Sequence, residues 1–310
     1  MALFGGSTPS INFMAGRRVA VVISAAAILI SLGSIGVRGL NLGIDFTGGL
    51  LVEAGYAGTA DLAEIRSALA EEGYETPLVQ NFGTASDVLI RLPPQEEQDG
   101  GAIRDRLLRV LAAGDASVEL RRVEFVDGQV GDDLTEQGGL AMLIALILIF
   151  IYVMLRFRWK FAAGTITALV HDVIIVVGFF SIFGFGFDLT VLAAVLATIG
   201  YSLNDTIVVF DRIRENFRLM RRGSAEEIIN NSINQMLGRT IITSMTTLMV
   251  LASLYFLGGE SVSGFALALI VGVLVGTYSS IYIASASALA LDVSPVDLLP
   301  PKREEIDSLP

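Results

Sequence analysis

The amino-acid sequence predicts a membrane α-helical bundle of six transmembrane helices, with one ferredoxin-like α+β domain between the first and second spans. Of the 310 residues, 53% are hydrophobic. The mean hydropathy is +0.66, well above that of an average soluble protein. Charged residues are concentrated in residues 40–135 and near the C-terminus, whereas apolar runs dominate the rest. This arrangement is typical of a multi-span membrane protein.

The composition excludes several classes of chemistry. The chain has no cysteine and a single histidine, so it contains no disulfide, no thiolate nucleophile and no metal site rich in cysteine or histidine. No glycine-rich phosphate-binding loop is found, and the net charge of −11 argues against binding to nucleic acid. We expect no cofactor, and any work that the chain performs must draw on an energy source other than a nucleotide.

The first span is predicted over residues 19–39, after a cytoplasmic N-terminus of residues 1–18. Its apolar run, residues 19–37, is close to the ~20 residues that a bilayer requires. A cleaved signal peptide is the alternative, but the run is long for one and no small-residue cleavage site follows it. We therefore expect an uncleaved span.

Residues 40–135 are predicted to form an extracytoplasmic α+β domain. The predicted strands cover residues 48–54, 78–82, 87–92 and 117–126, and the predicted helices cover residues 59–72 and 101–113. Their order, β-α-β-β-α-β, is that of a ferredoxin-like sandwich. A segment of this length can fold as one small domain.

Residues 136–291 are predicted to form the other five spans. Their apolar runs cover residues 140–155, 161–183, 189–210, 241–257 and 262–291, with an amphipathic cytoplasmic helix at about residues 224–237 and a cytoplasmic tail over residues 292–310. Loops rich in arginine and lysine follow the second and fourth spans, and Arg17 and Arg18 precede the first. The positive-inside rule therefore places both termini in the cytoplasm and the α+β domain outside.

Three ionisable residues within or at the edge of these spans are the candidates for proton coupling: Asp172, Asp205 and Arg239. Insertion of an aspartate at mid-bilayer costs about 2.5–3.5 kcal/mol, so such residues usually face a protein interior or a water-filled path. Asp172 lies about 16 Å into the third span, whereas Asp205 and Arg239 both lie towards the cytoplasmic side, where they can meet. A carboxylate beside a mobile cation suits a proton relay. A fixed ion pair that only locks two helices together is the alternative.

Asp205 lies in a stretch that begins within an apolar run and ends in a cluster of charge. This stretch, residues 199–216, reads I-G-Y-S-L-N-D-T-I-V-V-F-D-R-I-R-E-N and includes the motif residues Asn204, Asp211 and Arg212. Tyr201 and Ser202 precede Asp205 by four and three positions. We expect both to share its helix face and to hydrate or hydrogen-bond it.

His171 directly precedes Asp172 in the third span. Adjacent helix residues point about 100° apart, so the two side chains need not share a face. We therefore favour a packed core imidazole for His171 over a second proton carrier.

Small residues recur every four positions along the sixth span. They are Gly264, Ala268, Gly272, Gly276, Ser280, Ala284 and Ala288. Such a stripe lets two helix backbones approach closely. We expect Gly272, Gly276 and Ser280 to serve helix packing.

The segment just after the first span, residues 43–49, reads G-I-D-F-T-G-G. Its motif residues are Asp45, Phe46, Thr47, Gly48 and Gly49. Glycine permits positive φ and Asp45 can hydrogen-bond nearby backbone, which indicates a tight turn into the first strand. The glycine content of residues 39–43 and 130–139 makes these two segments candidate hinges.

Taken together, these stretches resemble the SecF family of the bacterial Sec protein-export machinery, within the SecD/SecF group of the RND superfamily. The similar segments are residues 43–49, 130–138, 168–180, 200–216, 234–243 and 276–284. The length and the single outer domain favour the SecF half over the SecD half. Asp132 departs from the pattern, because a less charged residue is expected there, and this leaves the role of its segment open.

The resemblance implies a non-enzymatic subunit of the bacterial inner membrane that, with SecD, uses the proton-motive force to promote preprotein translocation and release. The implied partners are SecD, the SecYEG channel, YajC, unfolded preproteins and membrane lipid, with protons as the coupling ion. Proton coupling is assigned to Asp205 and Arg239 and, secondarily, to Asp172.

Three alternatives are weighed against this function. A proton-driven small-molecule exporter is disfavoured, because six spans and a small outer domain offer little room for a drug pocket. An intramembrane aspartyl protease using Asp172 and Asp205 would need G-x-G-D on a span, whereas G-F-G-F-D places Asp188 one residue late. A purely structural scaffold for SecD stays open.

Overall fold

The computed structural model describes residues 11–74, 77–93, 100–114, 117–157, 159–220 and 223–293. Within them, six helices are long and apolar enough to cross a membrane: Met14–Arg38, Val130–Arg156, Trp159–Phe183, Leu189–Leu219, Ala225–Leu257 and Val262–Ala290. The predicted six-span bundle is thereby confirmed. Residues 1–10 of the predicted N-terminal segment and residues 294–310 of the predicted tail lie outside the described residues.

The first part of the chain contains one span and the α+β domain. A 3₁₀ turn (Met14–Gly16) leads into α1 (Arg17–Arg38), which is followed by β1 (Asn41–Leu42) and α2 (Ile44–Thr47). The domain comprises β2 (Gly49–Gly55), α3 (Leu62–Glu71), β3 (Leu78–Phe82), β4 (Thr84–Leu92), α4 (Gly100–Gly114) and β5 (Glu119–Val126). Its antiparallel sheet has the order β3-β4-β2-β5, which confirms the ferredoxin-like fold.

The two helices of the domain cover one face of this sheet. Leu50, Val52 and Ile90 alternate with more exposed residues along β2 and β4 and form a core with residues of both helices, such as Leu69 and Leu107. Burial of this apolar face holds the domain together. The side chains of the opposite face line a crevice of about 590 Å³ between the sheet and the membrane bundle.

Five further spans follow the domain. They are α5 (Gly128–Arg156), α6 (Trp159–Phe183), α7 (Leu189–Leu219), α8 (Ala225–Leu257) and a broken sixth span, which consists of α9 (Glu260–Ser279), a π-helical turn (Ser280–Ala284) and α10 (Ser285–Ala290). A short strand, β6 (Gly186–Phe187), precedes α7 and pairs with β1 in parallel.

Two of these helices differ from their predicted extents. The helix α5 begins at Gly128, well before the apolar run that starts at residue 140. The predicted amphipathic helix of residues 224–237 and the fifth apolar run form one continuous helix, α8, which begins with a capping box at Ser224 and Glu227. The polar residues between the two apolar patterns therefore lie within a helix and not in a loop.

The bundle has an apolar cluster near each end and polar residues between them. The cluster at the Arg17 end of α1 includes Phe161 and Phe210, whose ring centroids are 4.9 Å apart. The cluster at the other end includes Phe180 and Phe187. The buried polar side chains between them belong to α1, α6, α7, α8 and the sixth span, and these are the residues that form the candidate site.

The G-I-D-F-T-G-G segment joins the α+β domain to the bundle. Asp45 Oδ2 accepts a hydrogen bond from the backbone nitrogen of Leu189, the first residue of α7, at 3.0 Å. A Cβ atom at Gly131 of α5 would lie 2.8 Å from the nitrogen of Gly48 and 2.9 Å from the oxygen of Phe46. The segment is therefore a close-packed junction between α2, α5 and α7.

Arg91 of β4 makes a second connection at this junction. Its Nη1 donates to Asn41 Oδ1 at 3.2 Å and to the Leu42 oxygen at 3.5 Å. Burial lowers the pKa of Arg91 below its ordinary value, against the opposing effect of the carboxylates of Asp188 and Asp45. The sheet of the domain is thus fastened to β1 at the end of the first span.

The junction predicts a strong effect of Gly49→Ala. Gly49 has φ +115°, and a Cβ there would lie 2.3 Å from the Leu92 oxygen. The substitution should destabilise the chain by roughly 2 kcal/mol or more, because it adds both backbone strain and a clash with the backbone of β4. Thermal unfolding of the purified full chain measures this change.

Gly58→Ala is the matched control, because Gly58 is exposed and a Cβ there has nothing within 4 Å. Its stability should stay within about 0.5 kcal/mol of the unsubstituted chain. Equal melting temperatures for the two variants would contradict the close packing at Gly49.

Candidate functional site

Asp205 is buried where three helices meet. Its side chain is on α7 and is 7% exposed. Thr240 Oγ1 of α8 donates to Asp205 Oδ1 at 3.0 Å, and Ser280 Oγ of the π-helical turn donates to Asp205 Oδ2 at 2.6 Å. These bonds replace part of the hydration that a carboxylate loses on burial. A change in the charge of Asp205 therefore acts directly on the contacts among α7, α8 and the sixth span.

Arg239 and Asn204 lie next to this cluster but on exposed helix faces. Among the residues described, Asp205 and Arg239 form no ion pair. The side chain that reaches Asp205 from α8 is instead the neighbouring Thr240. The structure thus places Arg239 directly before Thr240 on α8, with its side chain exposed.

Tyr201 and Ser202 do not hydrogen-bond Asp205, contrary to expectation. Tyr201 Oη donates to Ser244 Oγ of α8 at 3.3 Å, and Ser202 Oγ donates to Asp172 Oδ2 at 2.5 Å. Shared helix spacing places the three residues near one another, but the partners on neighbouring helices decide which hydrogen bonds form. Ser202 consequently connects α7 to the second buried carboxylate.

Asp172 is the more deeply buried carboxylate, at 1% exposure. Its Oδ2 accepts hydrogen bonds from Ser202 Oγ and from Ser279 Oγ, the latter at 2.7 Å, and its Oδ1 lies 2.8 Å from His171 Nδ1. The sequence left open whether His171 and Asp172 meet, and the structure shows that they do. The backbone directions of adjacent residues do diverge, but the two side chains fold back towards each other from α6.

The sixth span brings its adjacent serines to two different carboxylates. Ser279, the last residue of α9, donates to Asp172, and Ser280, the first residue of the π-helical turn, donates to Asp205. A π-helical turn inserts extra backbone into a helix and often marks a functional site. Ser280 was expected to serve helix packing, and the structure shows that it also solvates a buried charge.

The stripe of small residues on the sixth span leaves space for a row of polar side chains on α7, which consists of Thr198, Ser202 and Asp205. We call this set the polar row. A Cβ at Gly272 would lie 2.2 Å from Thr198 Oγ1, and a Cβ at Gly276 would lie 3.0 Å from the Cβ of Ser202. Thr198, Ser202 and Asp205 follow one face of α7 at spacings of four and three. The expected close helix packing is therefore present, and hydroxyl and carboxylate groups of the polar row lie between α7 and α9.

Asp211 and Arg212 lie beyond the buried cluster, near the end of α7. Asp211 pairs with Arg156 Nη2 at 2.7 Å, and Arg212 donates to Gln235 Oε1 at 2.5 Å and to Glu215 Oε2 at 2.7 Å. These groups are partly exposed and join α7 to α5 and α8. Exposed ion pairs contribute about 0–1 kcal/mol each, so their role is to position the helix ends.

A second contact of α8 was not predicted from the sequence. Asn234 Oδ1 accepts from the Ile11 nitrogen at 3.0 Å, and Asn234 Nδ2 donates to the Ile11 oxygen at 2.8 Å. Asn230 Nδ2 donates to the same oxygen at 3.1 Å and Asn230 Oδ1 accepts from the Met14 nitrogen at 3.3 Å. The spacing of four between two asparagines on an otherwise apolar helical face was the signal that could have indicated this anchor.

Two family models match the chain. "Protein export membrane protein SecD/SecF, C-terminal" matches residues 107–294, and "SecD/SecF GG Motif" matches residues 33–60. The first match contains both buried carboxylates, and the second contains the junction segment. Together they cover the second to sixth spans, the end of α1 and the connection to the α+β domain.

Curated relatives match almost from end to end. The chain is 49% identical over 306 residues to the protein translocase subunit SecF of Vibrio alginolyticus, with 97% of each chain covered. It is 50% identical over 302 residues to that of Pseudomonas aeruginosa, with 97% of this chain and 98% of the relative covered. It is 45% identical over 296 residues to that of Escherichia coli O157:H7.

Two solved structures share the fold. A crystal structure of SecDF from Thermus thermophilus, described as a translocon-associated membrane protein, matches with a TM-score of 0.83 and 37% identity over 94% of this chain. A SecDF structure in a super-membrane-facing form matches with a TM-score of 0.70 and 38% identity. This chain spans about 40% of the length of those SecDF chains.

The packing of the polar row predicts that Gly272→Ala destabilises the bundle. The new methyl group would overlap Thr198 and push α9 away from α7, at a cost of about 1–3 kcal/mol. Gly200→Ala on α7 is the matched control, because Gly200 is exposed and a Cβ there has nothing within 4 Å. Thermal unfolding of the two purified variants should show a lower melting temperature for Gly272→Ala alone, and an equal loss in both would contradict the proposed close contact.

Proposed function

The chain belongs to the SecF family of the SecD/SecF protein-export membrane proteins, and we propose that it works beside SecD as a proton-driven subunit of the Sec translocase. In this function the proton-motive force promotes preprotein translocation and release through the SecYEG channel. The observation that carries the proposal is the burial of Asp205 among hydroxyl donors from two neighbouring helices.

Asp205 is the proposed coupling group because its two charge states require different surroundings. As a carboxylate it accepts hydrogen bonds from Thr240 and Ser280. Protonation removes the charge and gives the group a hydrogen of its own, so one of its oxygens becomes a donor and one serine or threonine hydroxyl must turn or leave. The contacts of α7 with α8 and the sixth span then change with each proton that binds.

Arg239 is proposed to supply the positive charge that balances the carboxylate in part of this cycle. It directly precedes Thr240, the residue of α8 that reaches Asp205. Its exposed guanidinium lies at the edge of an apolar run, where an arginine facing lipid is costly. We therefore assign the face of Arg239 and Asn204 to SecD, and rotation of α8 brings the arginine towards Asp205.

Asp172 is proposed as a second proton-binding group in the same pathway. It shares the sixth span with Asp205 through the adjacent Ser279 and Ser280. A proton that binds to Asp172 changes its hydrogen bond with Ser279, and Ser279 is the neighbour of Ser280, which donates to Asp205. This connection supports a role for both carboxylates in one proton pathway.

The proposed orientation places both termini in the cytoplasm and the α+β domain on the outer side of the bacterial inner membrane. Arg17, Arg156 and Lys160 lie at one end of the bundle, and the positive-inside rule makes that end cytoplasmic. The junction segment then carries changes at the outer end of α7 to the domain that would meet an emerging preprotein. YajC and membrane lipid complete the proposed set of partners.

Asp205→Asn tests the function most simply in cells. The amide keeps the shape of the side chain but cannot titrate, so export that depends on the proton-motive force should fall to the level of cells that lack the chain. The measurement is the rate of preprotein export with and without a proton-motive force, in cells where the variant is the only copy.

Asp211→Asn is the matched control, because it removes the same charge from the same helix at a partly exposed position. It should retain proton-dependent export, since an exposed ion pair contributes about 0–1 kcal/mol. Normal assembly with SecD must accompany both variants. Unchanged export in Asp205→Asn would identify Asp205 as structural and favour the scaffold function instead.

A further inference from the structure

A continuous row of hydrogen bonds runs from Asp172 to α1. His171 Nδ1 lies 2.8 Å from Asp172 Oδ1, and His171 Nε2 lies 3.1 Å from Ser24 Oγ of α1. Ser24 Oγ lies 3.0 Å from Tyr278 Oη, and Tyr278 Oη lies 2.8 Å from the backbone oxygen of Ala20. His171 and Ser24 are 2% and 4% exposed, so water has little access to the middle of this row.

The hydrogens of this row can be arranged in two ways. In the first, Tyr278 donates to Ser24, Ser24 donates to His171 Nε2, and His171 Nδ1 donates to the Asp172 carboxylate. In the second, His171 carries hydrogen on both ring nitrogens, Nε2 donates to Ser24, Ser24 donates to Tyr278, and Tyr278 donates to the Ala20 oxygen. In the second arrangement every contact carries a hydrogen, whereas in the first the contact between Tyr278 Oη and the Ala20 oxygen carries none, because a phenol has a single hydrogen to donate.

The two arrangements differ by one proton and by the direction of two hydroxyl groups. When a proton binds to Tyr278 Oη, the phenol releases its original hydrogen to Ser24 Oγ. Ser24 in turn releases its own hydrogen to His171 Nε2. Each oxygen ends with the hydrogen count with which it began, and the imidazole has gained one. The hydrogen on Nδ1 can then pass to Asp172 Oδ1, which leaves a neutral imidazole and a protonated carboxyl group.

We propose that Tyr278, Ser24 and His171 form a relay that delivers protons to Asp172. This proposal rests on the proposed proton-driven function and adds a route for the proton that does not begin at Asp205. Ser24 is about 10 Å from Arg17 along α1 at 1.5 Å per residue, so the relay leads from the arginine end of the bundle towards its middle. The first span is thereby part of the proton pathway and not only a membrane anchor.

The surroundings of the relay contain few other groups that titrate. Asp205 lies one turn beyond Ser202 on α7, and Ser202 donates to Asp172. The sixth span contributes Tyr278, whose ring stacks on His171 at a centroid distance of 6.1 Å, and Tyr282, whose ring is 5.3 Å from that of Tyr278. On α1 the charged residues described are confined to its two ends.

The single histidine of the chain makes a direct test practical. The full chain, labelled with ¹⁵N-histidine and assembled with SecD in lipid bilayers, is measured by solid-state nuclear magnetic resonance. Subtraction of the spectrum of His171→Asn isolates the two ring nitrogens of His171. We expect the ring hydrogen to move from Nδ1 to Nε2 when a proton gradient is imposed across the bilayer, because the relay adds a hydrogen at Nε2 and passes the hydrogen of Nδ1 to Asp172.

Two serine substitutions on the same helix separate a relay from a structural anchor. Ser24→Ala breaks the row, whereas Ser34→Ala removes a comparable bond, from Ser34 Oγ to Ser181 Oγ at 2.9 Å, near the other end of α1. We expect Ser24→Ala to shift the Nε2 signal and to reduce proton-dependent export severalfold, and Ser34→Ala to do neither. Tyr278→Phe, which keeps the stacked ring but lacks the hydroxyl group, should reduce export as Ser24→Ala does.

A ring that keeps its hydrogen on the same nitrogen when the gradient is imposed would overturn the relay, as would equal export in the Ser24→Ala and Ser34→Ala variants. The outcome is separate from that of Asp205→Asn. If Asp205→Asn retains proton-dependent export while His171 still exchanges its proton, the route through Asp205 fails and the relay stands. If Asp205→Asn abolishes export while the ring hydrogen of His171 stays on the same nitrogen, the proposed function stands and the relay fails.

Discussion

The structure depends on the solvation of two carboxylates that are surrounded by apolar helices. A buried charge must be compensated by hydrogen bonds or by an opposite charge, because water is excluded. Asp172 and Asp205 obtain this compensation mainly from serine and threonine hydroxyls on neighbouring helices. The glycines of α9 allow those helices to approach closely enough for the hydroxyls to reach. Helix packing and charge solvation are therefore one property of the bundle, and any change in protonation must alter the packing.

The sequence located these charges but not their partners. Apolar runs and spacing placed Asp172 and Asp205 within spans, and the stripe of small residues indicated close packing on the sixth span. The hydrogen-bond partners depend on rotation between helices and on side-chain conformation, which no single helix determines. Ser202 therefore reaches Asp172 and not Asp205, and His171 folds back onto its neighbour Asp172. The break after Ser279 is a backbone feature for which the apolar pattern gave no signal.

The fold was more accessible from the sequence than the site. Alternation in β2 and helical periodicity in α3 predicted the order of the α+β domain, because each element buries one face. The ends of helices were harder to predict where a polar pattern meets an apolar one. The polar first turns of α5 and the amphipathic start of α8 both continue as helix, because the bundle extends beyond the apolar runs. At the junction, the glycines indicated a tight turn, but the contact of Asp45 with the start of α7 required the assembled fold.

In the proposed function, Asp205 binds and releases a proton while it stays inside the bundle. Infrared difference spectroscopy of the chain assembled with SecD in lipid vesicles measures this directly, because a protonated carboxyl group has a carbonyl band that a carboxylate lacks. We expect a carbonyl band that changes when a proton gradient is imposed and that is missing from the Asp205→Asn spectrum. A difference spectrum that is the same with and without the Asp205 carboxyl group would contradict it.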